Sequence, residues 1–275
     1  MNLLIIGYGI VGTAVYEGLE RKNNVQVLDP DKNFTIEDKG FWSDYGYYDG
    51  IIICLPTPQG PVGECDDMMV EQYHRDIRSI APCVPILIKS TISIELIKLL
   101  EDDLALTYNP EFLTEADSLE EFQYQKFAIF GGENARYWYD IYINSGIKID
   151  KFRFTSMMNA AYAKYAINCF LATKVIFFNE LRNMYCDEGF DELTELIAMD
   201  ERIGKSHMMV PGLDGKHGFG GMCLPKDTSA FTRSARNKDS PLHVLEKVIK
   251  VNSEVREFYE NLGKIDIEDE EDLPG

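Results

Sequence analysis

The residues best suited to chemistry lie in one short segment, Gly218-Phe-Gly-Gly-Met-Cys-Leu-Pro-Lys-Asp227. Its cysteine, Cys223, follows a run of glycines, which let a ligand approach the backbone closely because they have no Cβ. Lys226 and Asp227 lie close to the thiol in the sequence, where they could stabilise a thiolate and transfer protons. The segment favours a nucleophilic cysteine. The alternative is a structural cysteine buried beside a glycine turn, the commoner fate of an isolated free cysteine.

A second glycine-rich segment, Gly7-Tyr-Gly9-Ile-Val-Gly12, lies between an apolar run and a helical pattern. In a dinucleotide-binding turn, the first glycine makes the turn, the second admits a pyrophosphate, and the third lets helix and strand pack closely. Asp29 follows the next apolar run, 17 residues after Gly12. A carboxylate there accepts the adenosine ribose hydroxyls and repels a 2′-phosphate, which favours NAD over NADP. The alternative is a glycine turn without a ligand.

A nucleophilic thiol in an enzyme that also binds a nicotinamide cofactor suggests two successive oxidations. An alcohol is oxidised to an aldehyde, which the thiol traps as a thiohemiacetal. A second oxidation gives a thioester, and hydrolysis releases an acid.

Composition limits the class of protein. The chain has 275 residues, of which 45% are hydrophobic, enough for two domains with real cores. The formal net charge of −19 argues against nucleic acid and anionic membranes as partners. No apolar stretch approaches the roughly 20 residues that a membrane helix needs, and the N-terminus lacks a basic region. We therefore expect a cytoplasmic protein. Its six cysteines show no metal-site spacing and are expected to be reduced.

Short apolar runs alternate with helical patterns through the first 150 residues, which favours βαβ units and a parallel sheet. The predicted strands are Leu3–Ile6, Val25–Leu28, Gly50–Cys54, Pro85–Ile88, Ala105–Tyr108 and Lys126–Phe130, and helices are predicted at Gly9–Arg21 and Met68–Ile80.

The pattern changes near Thr155. The segment Met157–Tyr185 contains no glycine or proline and predicts one long buried helix, followed by helices at Phe190–Met199 and Pro241–Leu262. The predicted fold class is α/β, with a Rossmann-type parallel-sheet domain followed by an all-helical central domain. We predict the first domain at residues 1–153 and the helical domain with the cysteine loop at 154–264. An acidic disordered tail is predicted at 265–275.

The long helix carries a polar pair. Lys164 and Asn168 are four residues apart and so share one face of the helix. Among small and apolar neighbours, an ammonium and an amide side by side can donate to a developing oxyanion. The alternative is a snorkelling lysine with a capping asparagine.

The chain from Met1 to about Leu262 resembles the UDP-glucose/GDP-mannose dehydrogenase family. Besides the two glycine segments and the long helix at 159–180, three loops carry the resemblance. They are Leu55-Pro-Thr57-Pro58, Lys89-Ser90-Thr91 and Asn109-Pro110-Glu111-Phe112-Leu113-Thr114-Glu115.

The resemblance implies a role for each matching residue. Cys223 is the nucleophile, Lys164 and Asn168 polarise the substrate's C6 oxygen, and Asp227 assists proton movement. Glu111 is a candidate general base for thioester hydrolysis, and Thr91 positions the water. The implied NAD-binding residues are Gly7, Gly9, Ile10, Val11, Gly12, Asp29, Pro56, Thr57, Thr91, Glu115 and Lys226. The implied substrate-binding residues are Phe112, Leu113, Lys164, Asn168, Arg202, Phe219, Gly220 and Gly221. Glu111 and Glu115 could instead be solvated loop carboxylates.

The resemblance also implies a homodimer through the central helix, in which Arg202 reaches the neighbouring subunit's sugar nucleotide. The alternative for Arg202 is an exposed ion pair. Two departures from the family are expected. The sequence lacks the usual C-terminal nucleotide-binding domain, and the segment from Lys205 to His217 is longer than in the family. Lys216 and His217 could supply phosphate contacts or form an ordinary polar loop.

The resemblance therefore implies oxidation of the C6 hydroxyl of a nucleotide sugar with two NAD+, best matched by UDP-glucose, whose uronic-acid product would feed surface polysaccharides. Two alternatives remain open. One is a single-hydride dehydrogenase of the β-hydroxyacid type, which also uses a Lys-x-x-x-Asn pair but needs no thiol. The other is a non-catalytic NAD-binding remnant.

Overall fold

The computed structural model describes residues 1–29, 47–113, 117–185 and 188–271, with side chains described as far as residue 261. The chain divides into two compact units, Met1–Lys164 and Tyr165–Gly275. The division falls inside the long helix and not at its start.

Strands and helices alternate in the first unit. The strands are β1 (Asn2–Ile6), β2 (Asn24–Leu28), β3 (Gly50–Ile53), β4 (Ile86–Ile88), β5 (Leu106–Tyr108), β6 (Tyr124–Gln125), β7 (Ala128–Gly131), β8 (Lys148–Ile149) and β9 (Phe152–Thr155). The helices are α1 (Ile10–Leu19), α2 (Met68–Ile80), α3 (Ile94–Leu100), α4 (Ser118–Gln123) and α5 (Ala135–Ser145). The long helix α6 (Met157–Met184) begins in this unit and continues into the second.

Seven of the described strands form one sheet in the order β2-β1-β3-β4-β5-β7-β9. The strands from β2 to β5 pair in parallel, β7 runs antiparallel to β5, and β9 is parallel to β7. Leu3–Ile6 in β1 and Ile51–Ile53 in β3 are fully buried, as expected for parallel strands covered on both faces. The predicted Rossmann-type sheet is confirmed, with an antiparallel extension that the sequence pattern did not indicate.

Aromatic side chains fill the space between the sheet and α4 and α5. Tyr142 makes edge contacts with Phe122 and Phe130, with ring centroids 5.4 and 5.6 Å apart. Trp138 is fully buried in the same core cluster. This core fixes the ends of β4 and β5, from which the Lys89 and Glu111 loops emerge.

The second unit contains the rest of α6 with α7 (Phe190–Ala198), α8 (Leu224–Asn237) and α9 (His243–Glu271), and its described residues include no strand. One cluster joins Ala172 and Ile176 of α6 to Phe219 and Val248, and another joins Phe178 to Phe190 and Met208. The predicted helical second part is confirmed. Helix α8, which begins directly after Cys223, was not predicted.

The acidic tail predicted at residues 265–275 overlaps the last described helix. Helix α9 continues to Glu271, through most of the acidic segment assigned to that tail. The stretch from Lys264 to Glu271 has no glycine or proline that would interrupt a helix. Among the described helices, none combines the length and apolarity needed to cross a membrane.

Candidate active site

The glycine turn after β1 has a conformation that requires glycine at two positions. Gly7 has a φ of +96°, and a Cβ there would lie 2.6 Å from the carbonyl oxygen of Cys54. A Cβ at Gly12 would lie 2.0 Å from the carbonyl oxygen of Gly7. A Cβ at Gly9 would meet nothing within 4 Å, so the space above Gly9 is open. The turn therefore fits a diphosphate placed against its backbone.

Asp29 lies directly after β2 and beside this turn, because its carboxylate accepts a hydrogen bond from the backbone N–H of Tyr8. Helix α1 begins at Ile10. Its N-cap is Gly9, which has no side chain, so no side chain of the N-cap residue covers the first-turn N–H groups. The first-turn N–H groups and a carboxylate at the end of β2 are the arrangement that holds a dinucleotide. These residues fit the predicted NAD.

The loops that follow β3 and β4 are joined by side-chain hydrogen bonds. The Ser90 hydroxyl donates to the carbonyl of Leu55 at 2.7 Å, and the Thr57 hydroxyl donates to the carbonyl of Thr91 at 2.7 Å. The Cys65 thiol donates to the same Thr91 carbonyl at 3.4 Å. Thr57 is buried, so its hydroxyl fixes the backbone of Thr91.

Glu111 is held at the end of β5 by a buried lysine. Oε2 of Glu111 lies 2.7 Å from Nζ of Lys89, and Oε1 accepts backbone N–H groups from Phe112 at 2.7 Å and Leu113 at 3.1 Å. Glu111 is thus a fixed carboxylate and not a freely solvated one. Sequence reasoning used Lys89 only as part of a motif. The available signal was a lysine placed directly after the apolar strand Ile86–Ile88.

Lys164 on α6 is also buried, and its ammonium donates to the backbone carbonyl of Glu111. The same ammonium lies 5.0 Å from the centroid of the Phe112 ring. The structure therefore brings Lys164, Glu111 and Phe112 together within the first unit.

A cavity of about 110 Å³ opens beside this loop. Its wall consists of the loop itself, α4 and the segment that leads into β7. The lining residues are Asn109, Pro110, Glu111, Phe112, Leu113, Glu121, Tyr124, Gln125, Lys126, Phe127 and Ala128.

In the second unit, Asp227 is buried, with 1% of its surface exposed, and both of its oxygens are engaged. Asn168 of α6 donates to Oδ2 at 2.5 Å, and Nζ of Lys226 lies 2.6 Å from Oδ1. Asn168 and Asp227 come together as predicted for a shared site. Lys226, predicted to bind cofactor, is engaged by Asp227.

Cys223 is the N-cap residue of α8, and it is exposed. The thiol stands one helical turn before Asp227, at the positive end of a 14-residue helix. Cys169 on α6 differs, because burial and then the charge of Asp227 raise the pKa of its thiol to about 12. Of these two cysteines, Cys223 is the one open to a substrate.

The loop before Cys223 is held by side chains from two helices. The backbone N–H of Gly218 donates to Oδ1 of Asn179 at 2.9 Å, and that of Phe219 donates to Oδ1 of Asn252 at 2.7 Å. Arg256 donates to the carbonyl of Phe219 at 2.8 Å. Sequence reasoning missed all three anchors. Asn252 and Arg256 are four residues apart on α9, so polar residues sharing one helix face were the available signal.

Arg202 is exposed over 88% of its side chain and pairs with Asp200 at 2.6 Å. Lys174 on α6 donates to the carbonyls of Ile203 and Gly204 at 3.0 and 2.8 Å, which fixes the turn that carries Arg202.

The predicted catalytic residues are divided between the two units. Thr91, Glu111 and Lys164 belong to the first unit, and Asn168, Cys223 and Asp227 belong to the second. Glu115 lies outside the described residues. In the longer loop, Lys216 pairs with Glu260 at 3.1 Å and His217 stacks on Tyr259 with ring centroids 3.5 Å apart.

A mostly parallel sheet with a glycine turn, followed by a helical unit with an exposed cysteine, places the chain in the class of Rossmann-type α/β proteins with a helical second unit. Residues 158–254 match the central domain of the UDP-glucose/GDP-mannose dehydrogenase family, which confirms the predicted family of this chain.

The chain is 30% identical over 227 residues to UDP-glucose 6-dehydrogenase of Rickettsia typhi, a match that covers 76% of this chain and 50% of that protein. The chain thus spans about half the length of that relative. The fold resembles a UDP-glucose dehydrogenase of Pyrobaculum islandicum, with a TM-score of 0.73, 24% identity and coverage of 92% and 68%. It also resembles 3-hydroxyisobutyrate dehydrogenase of Mycobacterium tuberculosis, with a TM-score of 0.68, 16% identity and coverage of 92% of each chain.

Proposed function

We propose that this chain carries the dehydrogenase chemistry of a nucleotide-sugar 6-dehydrogenase, which oxidises a C6 hydroxyl to a carboxylate with NAD+. The observation that carries the proposal is the exposed Cys223 one helical turn from the buried Asp227, whose carboxylate is bonded to Asn168. A purely structural cysteine needs neither exposure nor a buried carboxylate beside it. The relative from Rickettsia typhi favours UDP-glucose as the substrate.

The glycine turn and Asp29 hold NAD+, which supplies the hydride acceptor when bound. In the first oxidation, C6 of the sugar loses a hydride and its hydroxyl loses a proton, giving an aldehyde. Lys164 and Asn168 donate hydrogen bonds to the C6 oxygen as its charge develops. The Asn168 amide donates one N–H to Asp227, and an amide carries a second.

The second oxidation passes through Cys223. Its sulfur bonds to C6 of the aldehyde and its proton moves to the C6 oxygen, giving a thiohemiacetal. C6 then loses a second hydride and the oxygen loses its proton, giving a thioester. Water adds to C6, the C6–S bond breaks, and the carboxylate and thiol form. Glu111 accepts the water's proton, and Thr91 orients the water. Asp227 assists proton transfer to and from the Cys223 thiol.

The nucleotide sugar lies against Phe112, Leu113 and the glycine loop at 219–221 in this proposal. A homodimer through α6 would bring in Arg202 from the neighbouring subunit. In support of this interface, Phe170, Phe177 and Met184 recur every seven residues on α6 and are 68%, 58% and 77% exposed. A second copy of the same helix offers a matching apolar stripe.

A single-hydride dehydrogenase is the second candidate. It is favoured by the fold shared with 3-hydroxyisobutyrate dehydrogenase of Mycobacterium tuberculosis. That chemistry needs Lys164 and Asn168 but not Cys223, so it predicts one NADH per substrate and an active Cys223→Ala variant.

The test is a panel of UDP-, GDP- and TDP-sugars assayed for NADH release and for the acid product. We expect two NADH per sugar oxidised, with UDP-glucose the best substrate, and no acid from Cys223→Ala. One NADH per substrate with an active Cys223→Ala variant would support the second candidate. The absence of NADH from the whole panel would contradict the proposed oxidation of a nucleotide sugar.

A further inference from the structure

Lys89 is the buried cation of the first unit that the proposed chemistry does not use. It follows β4, and 2% of its surface is exposed. Its ammonium lies 2.7 Å from Oε2 of Glu111 and donates to Oδ1 of Asn109 at 3.0 Å. The centroids of the Phe122 and Tyr142 rings lie 5.5 and 6.0 Å from Nζ. Two oxygens and two aromatic rings thus surround the ammonium.

The oxygen partners of Lys89 are themselves fixed. Asn109 donates to the carbonyl of Ile129 in β7 at 2.8 Å and accepts from the Tyr142 hydroxyl at 3.3 Å. Asn109 is therefore tied to both β7 and α5. The Lys89–Asn109 and Tyr142–Asn109 bonds are buried, so the ammonium is held between Asn109 and Glu111.

Glu111 passes this constraint to Lys164. Its Oε1 accepts the N–H groups of Phe112 and Leu113, so the carboxylate folds back on its own loop. Its backbone carbonyl accepts the ammonium of Lys164. The orientation of the Glu111 carboxylate thus determines where the loop presents a carbonyl to Lys164.

We propose that Lys89 is a positioning residue, which orients the Glu111 carboxylate and, through the Glu111 carbonyl, aims Lys164. This role of Lys89 depends on the proposed function, because Glu111 acts in that reaction. The geometry of the ion pair does not depend on it.

Removing the ammonium of Lys89 takes away the ion pair that fixes Oε2 of Glu111. The Lys89→Met variant keeps the length of the side chain and removes the ammonium. Its Glu111 carboxylate is therefore expected to lose its fixed orientation, and the loop carbonyl that Lys164 contacts is expected to move with it.

Other ionisable groups surround Glu111. They are Cys54 at the end of β3, Tyr142 on α5, Lys164 on α6, and Glu121 and Lys126 at the adjoining cavity. Burial raises the pKa of Cys54 to about 12 and that of Tyr142 well above its ordinary value, so both stay neutral near pH 7. Lys164 is aimed at the backbone carbonyl. Lys89 forms the ion pair with the Glu111 carboxylate, at 2.7 Å from Oε2.

The first arm of the test measures hydrolysis of the Cys223 thioester in a single turnover. Lys89→Met is expected to accumulate the thioester, because the carboxylate proposed to accept the water's proton is no longer held in place. Lys89→Arg keeps the cation and is expected to restore most of the hydrolysis. Hydrolysis by Lys89→Met at the unmodified rate would contradict the proposal. Glu111→Gln gives the background hydrolysis by hydroxide, which is subtracted.

The second arm needs no substrate. Protein labelled with ¹⁵N is used to record the backbone amide resonances of Phe112 and Leu113, whose N–H groups donate to Oε1 of Glu111. Shifts of both resonances in Lys89→Met, in the direction that Glu111→Gln gives, support the proposal, and Lys89→Arg is expected to shift them less. Unchanged resonances in a folded Lys89→Met overturn it. If the unmodified protein oxidises no sugar nucleotide, the proposed function fails while this arm still decides the role of Lys89.

Discussion

The side-chain amide of Asn252 pairs with both polar backbone atoms of Phe219. Its Oδ1 accepts the Phe219 N–H at 2.7 Å, and its Nδ2 donates to the Phe219 carbonyl at 3.1 Å. Phe219 stands four residues before Cys223, so the last helix of the chain holds the loop that carries the proposed nucleophile. A residue far along the sequence thereby contributes to the position of the thiol.

Asn252→Ala removes both bonds and leaves two buried backbone groups without this partner. The expected loss of unfolding free energy is about 1–3 kcal/mol, the usual penalty for a buried unsatisfied polar group. The rate at which iodoacetamide alkylates Cys223 is also expected to change, because the loop loses its anchor. Denaturant unfolding and alkylation kinetics measure the two effects.

Ser253→Ala is the matched control, since Ser253 is the exposed neighbour and its hydroxyl bonds only to Ile249 of its own helix at 3.2 Å. Equal stability and equal alkylation rates for Asn252→Ala, Ser253→Ala and the unmodified protein would refute the anchoring role.

Gly9→Ala is expected to impair NAD binding, whereas Gly12→Ala is expected to impair folding. A Cβ at Gly9 meets nothing within 4 Å, so the fold is retained while the methyl group occupies the space proposed for the pyrophosphate. A Cβ at Gly12 lies 2.0 Å from the Gly7 carbonyl oxygen, so the turn itself must move. Thermal unfolding and NAD titration separate the two outcomes. Unchanged NAD affinity in Gly9→Ala would contradict the proposed cofactor site.

The stability of the first unit is expected to fall in acid through Asp103. Burial alone would raise the pKa of Asp103, but hydrogen bonds from His74 and Arg78 outweigh it and lower the pKa from 3.8 to about 2. A lowered folded-state pKa stabilises the protein above pH 3.8, and this contribution disappears as the pH falls towards 2. The contribution is on the order of 2 kcal/mol.

Asp103→Asn is expected to remove this part of the pH dependence of unfolding between about pH 4 and pH 2. Asp140→Asn is the control, because Asp140 forms an exposed pair with Arg136. If both variants show the same acid dependence as the unmodified protein, Asp103 is not the group responsible.

Phe177→Glu is expected to dissociate the proposed homodimer, because it places a charge in the middle of the apolar stripe on α6. Leu213→Glu is the control, since Leu213 is 95% exposed and lies outside that stripe. Analytical ultracentrifugation measures the change, with NADH production measured on the same samples. A Phe177→Glu variant that remains dimeric would place the interface elsewhere, and a fully active monomer would remove the role of Arg202 across the interface.

Local sequence patterns were enough for most of the fold. Apolar runs and the glycine turn gave the positions of β1 to β5 and α1, and the absence of glycine and proline gave the long helix Met157–Met184. The helix from Leu224 was missed because Pro225 and the glycines before it indicate a loop, although proline is well accommodated in a first helical turn.

The candidate site was predictable only where a motif carried it. Cys223, Asp227, Lys164 and Asn168 stand in short motifs, and their proposed roles came from those motifs together with the family resemblance. Lys89 and Asn252 could not be assigned in this way, because their partners, Glu111 and Phe219, are 22 and 33 residues distant in the chain. Such pairs arise from tertiary packing, which has no local period.

The most direct test of the account is a mass spectrum of the intact Glu111→Gln variant, quenched during turnover with UDP-glucose and NAD+. We predict a covalent adduct on Cys223 with the mass of the UDP-glucuronyl thioester. The adduct should be absent from Glu111→Gln combined with Cys223→Ser. Oxidation of the sugar to its acid by a Cys223→Ser enzyme, with no adduct at any time, would contradict the central claim that the reaction passes through this thiol.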